Sequence, residues 1–191
     1  MVTADELAAL VARTRAGDAQ ARHALLVELY GAVRKHVYLL LGSGAIAEDA
    51  VQDTMIALYR GLPAFRGEAS ARTWALSIAT RTAWRVRKRE ARYQPVVEDG
   101  IAWFDLSPTE AAELAMLRRA LAKLAPKKRD AFVLMAIFEL TAEEAGRALG
   151  TFANTAASRF RHARAELAAI VSREKFDEPV PLAATKKVRH G

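Results

Sequence analysis

The sequence predicts an all-α protein made of two small helical domains joined by a flexible linker. Three observations carry this expectation. The 191 residues include only 10 glycines and 6 prolines, few for the many turns of an all-β fold. Alanine, leucine, arginine and glutamate dominate, and these are good helix formers. Apolar residues recur at helical spacing on both sides of one aperiodic stretch, residues 94–108. With 52% hydrophobic residues the chain can also bury a real core, which argues against wholesale disorder.

The elements follow in order. "TADELAALVART" is a capped helix. Thr3 can cap it, Asp5 and Glu6 suit the positive end of its dipole, and Leu7, Leu10 and Val11 form a stripe. "AGD" at 16–18 is a break. A long helix then carries Leu25, Leu26, Leu29, Val33, Val37 and Leu40 on its apolar side and ends near Gly42. In "GAIAEDAVQDTMIALYRGL", Val51, Met55 and Leu58 face inward. Asp49, Gln52 and Asp53 sit at i, i+3 and i+4 and share the other face. Pro63 and Gly67 mark "PAFRGEAS" as a loop. Ser70 caps the next helix, which is expected to bury Trp74 and Ile78. Its second half carries Arg81, Arg85, Arg87, Lys88, Arg89 and Arg92 against a single acid, Glu90.

Beyond the linker, Ser107, Pro108 and Glu110 begin a helix that runs through Leu114, Leu117, Leu121 and Leu124. "APKKRDAFVLMAIFEL" is read as one further helix. "TAEEAGRALG" is a short one, with Thr141 and Glu144 as a capping box and Gly150 as its stop. "GTFANTAASRFRHAR" opens the last helix. The expected units are 1–93, a linker at 94–108, a second domain at 109–171, and a flexible tail at 172–191.

The net charge of +7 favours a polyanionic partner, either nucleic acid or an anionic membrane surface. The chain has no cysteine, which excludes disulfides and cysteine-ligated zinc and fits a reducing cytoplasm. "MVTADELAAL" has acids where a signal peptide needs bases, and no apolar run reaches the ~20 residues of a membrane span. A cytoplasmic protein without membrane insertion is expected. Enzyme readings are poor. His23, His36, His162 and His190 are scattered, and there is no phosphate-cradling glycine loop, zinc spacing or nucleophile elbow. No catalytic residue, metal or cofactor is expected.

Two basic helices remain. A short capped helix, a turn at Gly150 and a longer helix make a helix-turn-helix layout. Ala156, Phe160, Ala163 and Leu167 fall on one stripe, so Thr155, Ser158, Arg159 and His162 face outward, flanked by Asn154, Arg161 and Arg164. No acid lies between Glu144 and Glu166. Such groups can bond base edges and phosphates, although an isolated charged helix face is more often merely solvated. The run "RTAWRVRKREAR" poses the same choice: its charge suits phosphates and Trp84 could stack on a base, or it is a solvated helix end with Trp84 in the core. Two basic helices in separate units favour DNA contact.

These pieces, in this order, resemble the sigma-70 family, specifically its extracytoplasmic-function group. The resemblance spans about residues 16–170. It rests on the "ED-VQD" helix, the "FRGEAS-RTW" stretch and "L-KL-PKKRDAFVL", followed by the helix-turn-helix. It implies a sigma factor with a region 2-like bundle and a region 4-like domain, whose partners are core RNA polymerase (β′ clamp helices and β flap), promoter DNA and an anti-sigma factor. Asp49, Gln52 and Asp53 then lie on the helix that docks on the clamp helices. Phe65, Arg66, Gly67 and Ser70 belong to the loop that captures a base flipped from the −10 element. Arg81, Arg85, Lys88 and Arg89 hold the −10 region. Asn154, Thr155, Ser158, Arg159, Arg161, His162 and Arg164 enter the major groove at the −35 element. The chain departs from the family at Arg81, Ala156 and Ala157, and at Ala145, Gly146 and Ala148, where larger residues are usual. Phe152 is expected to fill the space those small residues leave. The alternatives are a stand-alone helix-turn-helix regulator, which needs a dimer segment that is not evident, and a helical adaptor whose basic face meets a membrane or an acidic protein.

Overall fold

A computed structural model describes residues 3–42, 44–89 and 108–177, and every regular element among them is helical. In α1 (Ala4–Arg15) the Thr3 hydroxyl accepts from the Glu6 N–H, while the Glu6 carboxylate accepts from the Thr3 N–H. The "AGD" break does more than interrupt. Asp18 caps α2 (Ala19–Leu41) by accepting from the Ala21 N–H, and its other oxygen pairs with Arg13 at 2.7 Å. α3 (Ala45–Gly61) follows, then a 3-10 turn (Leu62–Ala64), the loop 65–70, and α4 (Ala71–Arg89). Ser70 accepts from the Thr73 N–H at 3.0 Å, the expected cap.

α2 is the central rod and packs against α1, α3 and α4. Leu25, Leu29, Val33, Val37 and Leu40 line its inner side and are at most 2% exposed. Each such side chain contributes about 1.5–3 kcal/mol by leaving water. This is why α2 holds its course although it carries no acid in its first turn and no base in its last.

The second half comprises α5 (Pro108–Ala122), α6 (Pro126–Phe132), α7 (Ala142–Ala148) and α8 (Ala153–Asp177). The stretch read as one helix from 125 to 140 is not one. α6 widens into a π turn at Val133–Ile137, and the chain leaves it at Glu139, whose φ is +57°. That exit turns Phe138 toward the first half, edge-on to His36 with ring centroids 5.4 Å apart. α8 runs to Asp177, past the expected start of the tail at 172. The linker segment 94–107 and residues 178–191 lie outside the described residues.

The halves do not stand apart. Their buried apolar residues form one cluster, and α4 packs on α7. Asp130 of α6, 1% exposed, accepts from Trp84 Nε1 at 2.6 Å and from both Arg87 terminal nitrogens at 3.1 and 2.8 Å. Arg129 reaches the other way and donates to the Leu40 carbonyl of α2 at 3.0 Å, as well as to carbonyls of Leu121, Ala122 and Leu124. Burial lowers its affinity for its proton. Glu144, while closing the α7 capping box with Thr141, also accepts from the Thr73 hydroxyl at 3.3 Å. A linker between two domains was legible; their docking was not.

Candidate nucleic-acid interface

Three surfaces collect the residues singled out from the sequence. The first is the outer face of α3. Asp49, Gln52 and Asp53 are exposed, while Ala47, Ala50, Val51, Thr54 and Leu58 are buried opposite. Thr54 disposes of its hydroxyl by donating to the Ala50 carbonyl at 2.7 Å. The face also carries apolar side chains that the sequence reading passed over: Ile56 is 41% exposed and Tyr59 54%. Their spacing from Gln52, four and seven residues, was the available signal. Arg22 of α2 lies over the Tyr59 ring, 5.4 Å from its centroid.

The second surface joins the loop 65–70 to α4. Arg66, Gly67 and Ser70 are exposed there. Phe65 is not: it is 7% exposed and stacks on Trp74 with centroids 4.7 Å apart. It therefore supports the loop from beneath, and the little surface it keeps lines the pocket beside the loop. A pocket of about 280 Å³ opens beside it, lined by Arg66, Glu68, Trp74, Ser77, Arg147 and Ala148 among others. The last two belong to α7, so the second half forms one wall. Along α4, Arg81, Arg85, Lys88 and Arg89 are exposed, and Arg85 donates to the Thr82 hydroxyl at 3.0 Å. Trp84 and Arg87 have a different fate. Both are committed to Asp130, so Trp84 neither faces solvent ready to stack nor sits in a purely apolar core.

His36 lies beneath this surface, fully buried. Its Nε2 is 2.8 Å from the Thr80 hydroxyl oxygen, and that hydroxyl donates to the Leu76 carbonyl at 2.8 Å. The Thr80 proton being spent, Nε2 must carry the hydrogen, and the ring is neutral. Desolvation, helped by the charge of Arg87, pushes its pKa down to about 3.

The third surface is α8. Gly150, with φ +59°, makes the turn before it, a left-handed conformation that a side chain would strain. Ala156 and Ala163 are fully buried and Leu167 is 8% exposed, the expected stripe. Phe160 is half-buried, tilted against Phe132 at 5.9 Å, and Arg164 lies over its ring at 5.8 Å. Asn154, Arg161, His162 and Arg164 are exposed, while Thr155, Ser158 and Arg159 are half-exposed. The outward polar face is thus assembled as read.

Phe152 corrects the sequence reading. It is 84% exposed and fills no space in the motif. The reason lies at Gly146, where a Cβ would meet the Thr151 carbonyl oxygen at 3.0 Å and the Ala153 nitrogen at 3.1 Å. The backbone of the turn already occupies the room that a small residue was thought to leave empty.

No helix among the described residues is long and apolar enough to cross a membrane. Residues 25–93 match the family model described as Sigma-70 region 2, and residues 114–167 the one described as Sigma-70, region 4. The RNA polymerase sigma factor YlaC of Bacillus subtilis is 30% identical over 144 residues, covering 70% of this chain and 82% of that protein. The ECF RNA polymerase sigma factor SigM of Mycobacterium tuberculosis is 28% identical over 165 residues, 86% and 84% of the two chains. Among solved structures, CnrH in complex with the cytosolic domain of CnrY shares the fold with a TM-score of 0.67 at 23% identity, covering 86% of this chain and 96% of that one. RpoE of Bartonella quintana, in complex with the anti-sigma factor NepR, gives 0.63 at 24%, covering 77% and 94%.

Proposed function

Since the chain belongs to the sigma-70 family, and within it to the extracytoplasmic-function group of RNA polymerase sigma factors, we propose the following division of labour. The unit α1–α4 docks on core polymerase through Asp49, Gln52 and Asp53; the carboxylates of Asp49 and Asp53 complement a basic partner helix and the Gln52 amide adds a neutral hydrogen-bonding group. The loop bearing Arg66, Gly67 and Ser70 takes a base flipped from the −10 element, with Phe65 as its support. Flipping costs a few kcal/mol, and the exposed Arg81, Arg85, Lys88 and Arg89 offset it by holding the separated strand's phosphates. The unit α5–α8 lays α8 into the major groove at the −35 element and reads it with Asn154, Thr155, Ser158 and Arg159, while Arg161, His162 and Arg164 meet phosphates. The protein catalyses no reaction of its own and works in the cytoplasm, where polymerase is.

The observation that carries this reading is the outward polar face of α8 behind a Gly150 turn, on a chain whose other half presents a second, separate basic helix. In the docked arrangement Arg147 and Ala148 of α7 form one wall of the loop pocket, so a base that enters it also meets the second half. RpoE of Bartonella quintana, of the same fold, is in complex with the anti-sigma factor NepR, and control by a protein of that class fits a chain whose two halves are docked, with α4 packed on α7. Run-off transcription with purified core polymerase on genomic DNA tests the whole. Discrete new transcripts are expected; their absence, with duplex binding intact, leaves only a helix-turn-helix binder.

A further inference from the structure

Phe152 serves neither of the purposes its position offers. It occupies the N-cap of α8: its carbonyl accepts the first helical bonds, from the Thr155 N–H at 3.0 Å and the Ala156 N–H at 3.1 Å. Helices favour Ser, Thr, Asn or Asp at that place, because a side-chain oxygen can take an unpaired N–H. A benzyl side chain cannot. Nor does the ring pack inward, since it is 84% exposed, the most of any large apolar side chain among the described residues. A large ring held in water at a position that prefers a small polar group points to a partner.

The surroundings say which kind. The N-terminal residues of the second helix in such a motif are the ones that reach base edges. Asn154 is exposed on the next turn, and Thr155 and Ser158 are half-exposed beside it. No acid occurs between Glu144 and Glu166, whereas Arg147, Arg159, Arg161 and Arg164 do. An anionic partner fits this end of α8, and an acid-free apolar spot within it must meet something apolar on that polyanion. The major groove of DNA presents one such group, the 5-methyl of thymine.

We propose that Phe152 is a specificity-determining residue that packs its ring against a thymine 5-methyl group at the −35 element, beside the bases faced by Asn154 and Thr155. The proposal rests on the reading of α8 as the −35 reader.

The test uses the full chain bound to core polymerase. A duplex library randomised upstream of the start site is selected with this holoenzyme. Each thymine of the enriched upstream element is then replaced in turn by deoxyuridine, which lacks only the methyl group. At one position the replacement should weaken binding about fourfold, the factor that burying one methyl-sized group corresponds to. Phe152→Ala should bind the thymine duplex about that much more weakly and be indifferent to deoxyuridine at that position alone. Phe152→Leu should retain part of the discrimination. Because the ring is exposed, the variants should melt with the wild type, which circular dichroism checks. The idea is overturned if Phe152→Ala responds to deoxyuridine as the wild type does, if the enriched element contains no thymine, or if the variant loses polymerase binding and leaves the DNA preference untouched. If the wild type enriches no upstream element, the −35 assignment falls with it, a result distinct from enrichment without coupling.

Discussion

Replacing Asp130 by alanine should loosen the docking of the two halves. The carboxylate is 1% exposed and takes three bonds, all from the opposite half: one from Trp84 and two from Arg87. Removing one partner of a fully buried ion pair costs about 3–5 kcal/mol, because the other charge is left stranded. Here the Arg87 side chain keeps 17% of its surface in water and can rehydrate in part. The expected loss is therefore about 2–3 kcal/mol, nearer the range for hydrogen bonds to a charged group. At 1.4 kcal/mol per tenfold, the docked population falls by about 30- to 150-fold relative to the undocked one. The chain has no cysteine, so single cysteines introduced at the exposed positions Glu28 and Ala168 give a clean pair of spin-label sites. Double electron–electron resonance on the wild type should show one narrow distance, and Asp130→Ala should show a broad, longer distribution. Arg87→Gln should do the same from the other side of the contact. Circular dichroism must report unchanged helicity. Identical distance distributions in all three proteins refute the reasoning.

The remaining predictions are shorter. His36 has a folded-state pKa of about 3 against an ordinary value near 6.5, so below pH 6.5 the unfolded chain takes up a proton that the folded chain refuses. Stability from this residue is full above pH 6.5 and falls as pH drops, by about 2 kcal/mol at pH 5; urea unfolding of His36→Gln should lack that part of the slope. Gly146→Ala would drive a methyl group to 3.0 Å from the Thr151 carbonyl oxygen, and neither that oxygen nor the Ala153 nitrogen can rotate away. It should cost about 1–3 kcal/mol in chemical denaturation, with a left-shifted midpoint and an unchanged slope. Arg159→Ala should weaken binding to the −35 element by about 1–3 kcal/mol and relax the preference at one base, and competition binding with single-base variants reads this directly.

What could be read from the residues alone was whatever depends on near neighbours. Asp49, Gln52 and Asp53 share a face because of helix geometry, and the box of Thr141 and Glu144 closes over three residues. Asp18 caps α2, but "AGD" signals a break as loudly as a beginning. The linker hid everything else. Trp84 finds its acceptor 46 residues away, across a segment with no period, and nothing local distinguishes a tryptophan that bonds Asp130 from one that stacks on a base. Phe65 was assigned by its place in the loop, yet its environment is set by Trp74 from the helix beyond. Phe152 is a case of another kind: the small side chains of Ala145, Gly146 and Ala148 suggest a gap in the sequence, and only the backbone path shows that there is none. The backbone of the Gly150 turn fills the gap beside Gly146.

The bond from Arg129 to the Leu40 carbonyl has a meaning in time. Its two ends are 89 residues apart, and the ribosome delivers them in that order. Leu40 sits in the last turn of α2, where carbonyls lack helical partners. While the first half emerges, that oxygen can be served only by water. It receives its guanidinium after α5 has been made and α6 begun. The same side chain then closes the end of α5 as well, through Leu121, Ala122 and Leu124. The boundary between the two units is thus crossed as the chain folds: the amino-terminal bundle is completed by a residue that belongs to its neighbour.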